Sequence, residues 1–96
     1  MKRDEVLSIV VAHQKALKEF GVKSLELFGS VARDEADSAS DVDFLVEFSS
    51  PVGLFQFSRV RLYLENILGC SVDLGTKKAL RQHLRKPVVN DAIRVF

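Results

Sequence analysis

Asp41 and Asp43 stand one residue apart at the head of the apolar run Phe44-Leu45-Val46, and their type and spacing are the ones in this chain best suited to chemistry. Side chains on a strand alternate faces, so the two carboxylates are expected on one side, roughly 6–7 Å apart along the backbone. Oxygen ligands at that spacing suit hard divalent cations. Ten intervening residues upstream, Gly29-Ser30 closes a second apolar run, Leu25-Glu26-Leu27-Phe28. There a glycine permits close backbone approach, and free N–H groups with a hydroxyl can hold a phosphate. Alone, a Gly-Ser pair is a turn and an Asp-x-Asp pair is a polar strand cap. Together and in this order they equip a site to move a nucleotidyl group, with the carboxylates holding metal and the glycine turn holding phosphate.

These residues need elements to position them. Val6, Ile9, Val10, His13, Leu17 and Phe20 recur at helical spacing and predict one helix over residues 4–20, with Asp4 as its N-cap and Gly21 as its stop. His13 lies on that apolar stripe and reads as a partly buried structural residue. A first strand is predicted over 23–28, a short helical turn from Val31 to Asp34, a polar loop from Glu35 to Ser40, and a second strand from Asp41 to Phe48. Val42, Phe44, Val46 and Phe48 then form the buried face, opposite the carboxylates. Ser49-Ser50-Pro51 ends that strand. Leu54, Phe57, Val60, Leu64, Ile67 and Leu68 predict an amphipathic helix stopped by Gly69. A short strand follows at Ser71-Val72-Asp73-Leu74. One or two helices are expected after Thr76, then an apolar stub, Ile93-Arg94-Val95-Phe96. The fold class is therefore α/β in the α+β sense: a small mixed sheet with helices packed on one face.

The crossover helix can return the chain to lie beside the second strand. Asp73 would then share a face with Asp41 and Asp43. Three carboxylates gathered there repel one another without cations, which makes a metal site the economical explanation.

Length and composition agree with one domain spanning residues 1–96. The chain is 47% hydrophobic and 28% charged, in the range of water-soluble globular proteins, and its net charge of +1 gives no global pull toward nucleic acid or anionic membrane. Asp4-Glu5 interrupts the basic start where a secretory signal needs an apolar stretch, and no apolar run approaches membrane-spanning length. Cys70 is the single cysteine, which excludes an internal disulfide and fits a reducing cytoplasm. It reads as a small core residue and not as a nucleophile. Lys77, Lys78, Arg81, Arg85 and Lys86 gather near the C-terminus, with Leu80 and Leu84 at inward positions of the same segment. Such a segment reads as a solvated or partner-facing surface, and direct nucleic-acid binding is not expected.

Leu27-Phe28-Gly29-Ser30-Val31-Ala32-Arg33, followed by Ser40-Asp41-Val42-Asp43-Phe44-Leu45-Val46, resembles the minimal nucleotidyltransferase group of the DNA polymerase beta superfamily. Leu54-Phe55, Leu64-Glu65-Asn66-Ile67-Leu68-Gly69 and Val72-Asp73-Leu74 continue the resemblance in register. Asp34 departs from it, standing where a glycine often follows the arginine. The resemblance implies that Asp41, Asp43 and Asp73 hold two Mg²⁺ ions, with Asp73 also a proton acceptor. Ser30 and the amides around Gly29 would hold the outgoing phosphates, helped by Arg33, and Ser40 would touch the nucleotide or cap the strand. It implies ATP as substrate and AMP as the group transferred. The acceptor it implies is a tyrosine of a HEPN-domain toxin, which makes the chain the antitoxin of a pair. Two other readings stand beside it: a non-catalytic antitoxin acting by occlusion, and a small-molecule nucleotidyltransferase of the antibiotic-modifying kind. The apolar C-terminal stub and the basic segment before it are the expected docking surface.

Overall fold

The apolar positions of strands and helices meet on one face of a four-stranded sheet. The computed structural model describes residues 2–29, 41–76 and 92–96. Its elements are helices α1 (Arg3–Ala12), α2 (Gln14–Glu19) and α3 (Leu54–Leu68), and strands β1 (Val22–Phe28), β2 (Val42–Phe48), β3 (Val72–Thr76) and β4 (Ile93–Arg94). The sheet order is β3-β2-β1-β4. β1 is antiparallel to β2 and to β4, while β2 and β3 run parallel, joined by the α3 crossover. The mixed sheet and the helices on one face are as the sequence predicts.

Leu25 and Leu27 of β1 stand opposite Val46 and Phe44 of β2. With Val42, Val72 and Leu74 they form the sheet's half of the core, and Val6, Val10, Leu17, Val60, Leu64 and Leu68 supply the helical half. Strand alternation leaves Asp43, Leu45 and Glu47 on the opposite face. Leu45 is buried there as well.

The first helix is broken where one was expected. His13 has ψ near 14° and gives its N–H to Val10 O, a tightened turn between α1 and α2. Its Nδ1 donates to Ile9 O at 2.8 Å, and its ring meets Tyr63 of α3 edge-on. The histidine is structural, as its place on the stripe indicates. The cap differs from expectation: the N-cap is Lys2, and Asp4 lies inside the first turn. Gly21, at φ +92°, ends α2 and accepts a hydrogen bond from Ser49 N–H, pinning the start of β1 to the end of β2.

Two further expectations are corrected. Leu54 is not on the buried stripe of α3; it is 80% exposed and Phe55 is 90% exposed, because burial begins a turn later with Phe57 and Val60. The C-terminal stub is a strand, where only an apolar stub was expected. Ile93 and Arg94 pair with Leu27 and Glu26, Val95 N–H donates to Leu25 O, and Leu25 N–H donates to Phe96 O. β1 would otherwise present an open edge, and these residues close it. The helical turn expected after Val31, the loop from Glu35, Asp34, and the helices and basic segment from Lys77 to Lys86 lie outside the described residues.

Two leucines of the predicted α3 stripe, one buried and one exposed, give a direct check. Leu64→Ala removes a fully buried side chain and is expected to cost about 2–5 kcal/mol in urea unfolding. Leu54→Ala should change stability by no more than about 0.5 kcal/mol.

Candidate active site

The site lies at one end of the sheet, where β1 finishes and β2 and β3 begin. Phe28, Asp43 and Asp73 are register partners across the three strands, so Asp73 does come to lie beside Asp43 on the same face. The register holds because the chain crosses over through α3 and Val42 N–H donates to Ser71 O at 3.0 Å. Asp41 stands one residue before β2, not within it as expected, and is exposed. Asp73 is exposed as well, and Asp43 is half-buried between the neighbouring strands.

Gly29 follows Phe28 directly with φ +80°, a left-handed conformation that glycine adopts without steric cost. A Cβ built on Gly29 would lie 3.1 Å from Asp43 Cγ and 3.4 Å from its Cβ, and would collide with Oδ2. The glycine is thus the space that the Asp43 carboxylate occupies. This links the two halves of the sequence signature physically. Ser30, Arg33 and Ser40 lie outside the described residues. Phe28 was not among the sequence candidates for a role, yet it is the strand neighbour of Asp43; its signal was its place just before the Gly-Ser pair.

The donor set is all carboxylate oxygen, which suits hard divalent ions, and the glycine leaves room beside one donor; on both counts the residues fit such a group. As they stand, no three His, Cys, Asp or Glu side chains among the described residues are close enough together to hold one ion. Cys70 sits near this end, half-buried. Burial pushes its thiol up, and the nearby carboxylates of Asp41 and Glu65 add to the rise. That direction disfavours the thiolate, the nucleophilic form.

The nucleotidyltransferase domain family model matches residues 10–95. The chain belongs to that family. This nucleotidyltransferase is 42% identical over 93 residues to the protein adenylyltransferase MntA of Thermococcus cleftensis, covering 96% of this chain and 94% of that protein. It is similar to a solved structure described as a minimal nucleotidyltransferase, with TM-score 0.82 and 34% identity over 97% of this chain and 95% of that one. The fold also matches a complex of a tri-AMPylated Shewanella oneidensis HEPN toxin with an MNT antitoxin, at TM-score 0.66 and 17% identity, covering 94% of this chain and 71% of the other. No helix among the described residues is long and apolar enough to cross a membrane.

Gly29→Ala tests the close approach. The left-handed backbone alone should cost about 1–2 kcal/mol, readable in urea unfolding. The displaced Asp43 carboxylate should lower nucleotidyl transfer further than that loss of stability explains. An alanine variant with full activity would remove Gly29 from the site.

Proposed function

We propose that this nucleotidyltransferase moves AMP from ATP onto a tyrosine hydroxyl of a HEPN-type toxin protein and thereby silences it. The observation behind the reading is the row in which Gly29 makes room for Asp43 and Asp73 stands opposite it. Support for a protein acceptor comes from the relative of near-equal length that is a protein adenylyltransferase. A toxin as that acceptor is supported by the complex of matching fold.

Asp41, Asp43 and Asp73 would hold two Mg²⁺ ions. When bound, the ions would neutralise the triphosphate and lower the pKa of the acceptor hydroxyl. Gly29 keeps the backbone close to the carboxylates without a side chain in the way. Ser30, with the amides beside it, is assigned to the outgoing phosphates, and Arg33 to their charge; Ser40 is assigned to the nucleotide or to capping the entry of β2. In the transfer, a bond forms between the tyrosine oxygen and the α-phosphorus as the α–β phosphoanhydride bond breaks. Pyrophosphate leaves, and the phenolic proton passes to the Asp73 carboxylate. The exposure of Asp73 allows a bulky protein acceptor to reach it.

The rival reading is neutralisation by occlusion without catalysis. Mass spectrometry of the toxin after incubation with this protein, ATP and Mg²⁺ separates the two. A gain of one or more AMP groups on tyrosine is expected, and an inhibited toxin of unchanged mass would overturn the proposal. The double variant Asp41→Asn/Asp43→Asn should retain docking and lose transfer. Its melting temperature without metal should hold or rise as repulsion is relieved, and Mg²⁺ with ATP should stabilise it less than wild type. Full protection of cells by that variant would assign neutralisation to occlusion.

Asp73→Asn should lower the single-turnover rate more than it weakens ATP binding. An unchanged rate would return Asp73 to the role of an ordinary strand residue.

A further inference from the structure

We infer that Glu65 is a positioning residue that sets the place of Asp73 by holding the first amide of β3. β3 is the outermost strand, paired with β2 along one side. Val42 N–H donates to Ser71 O, so Ser71 and Asp73 turn their backbone groups toward β2. By alternation the Val72 amide faces the outer edge, where no sheet partner stands among the described residues. Its N–H donates instead to Glu65 Oε2 at 3.0 Å.

Glu65 lies on the last turn of α3, and its own carbonyl accepts the Gly69 N–H at 2.8 Å. Gly69 takes the left-handed conformation that ends the helix. One residue therefore grips the helix terminus through its backbone and the strand through its side chain, across the short link Gly69-Cys70-Ser71. Arg61, one turn earlier, brings Nη1 to 3.8 Å from the same oxygen and keeps the carboxylate over the strand. The Glu65 side chain is 26% exposed, so its bond to Val72 is sheltered from water. The bond fixes β3 one residue before Asp73. A one-residue slip of β3 would turn Asp73 to the core face, and a frayed first residue would loosen it. Glu65 touches no reacting atom in this scheme; it acts through Val72 on Asp73.

The effect on cation binding rests on the metal reading above, and the effect on strand position does not, so two measurements keep them apart. Amide hydrogen exchange should show Val72 losing about tenfold in protection in Glu65→Ala, as one hydrogen bond is lost, with Phe44 and Val46 unchanged. Glu65→Gln keeps an acceptor oxygen and should restore most of that protection, also serving if the alanine variant folds poorly. Mn²⁺ titration in the presence of ATP should show weaker binding by Glu65→Ala. In an Asp73→Asn background the same change should add nothing, because the residue it positions is gone. Equal losses in both backgrounds, or unchanged exchange at Val72, would overturn the assignment. Wild type failing to bind Mn²⁺ with ATP would overturn the metal reading instead, and exchange at Val72 and Asp73 would still decide the role of Glu65.

Discussion

The parallel pairing of β2 with β3 is the constraint on which this molecule turns. A hairpin cannot make it; the chain must leave the sheet, cross as α3 and return. The crossover covers the sheet with Val60, Leu64 and Leu68, and it lands β3 with Asp73 opposite Asp43. Core and site therefore depend on one crossover. The apolar stripe of α3 determines where the helix lies, and the helix determines where the third carboxylate arrives.

The carboxylates lie on the face away from that core, where the work of desolvating them is small. Asp41 and Asp73 remain exposed, and only Asp43 is drawn partly inward, against Gly29. Such a site places little electrostatic burden on the fold. Under the proposed function it keeps its charge for a substrate that brings phosphates and counterions with it. The open position also suits an acceptor delivered on the surface of another macromolecule better than one enclosed in a pocket.

Much of this was legible in the sequence because it depends on local period. The alternation of Val42, Phe44 and Val46 told which face Asp43 would take, and the spacing of Val60, Leu64 and Leu68 located α3. What escaped was decided by partners distant in sequence. Leu54 fits the helical stripe, yet the core of the described residues is met only from Phe57 onward. Ile93 and Arg94 are too few to register as a strand, and only the open edge of β1 makes them one. His13 is a local exception: it continues the apolar stripe, but its ring bonds back to Ile9 O, four residues earlier, where the helix breaks. The role of Glu65 is invisible to pattern reading, since the amide it holds belongs to a backbone and not to a motif. The site itself was half legible. The spacing pointed to Asp41 and Asp43, of which only Asp43 lies within β2, whereas the place of Asp73 required the topology.

The pins at both ends of the β1–β2 pair carry a consequence for how such a protein diversifies. Ser49 clamps to Gly21 at one end, and Phe28 stands in register with Asp43 at the other. The register of the two strands is thus held from within the pair itself. Lineages can vary residues away from that ladder while the carboxylate row stays in place.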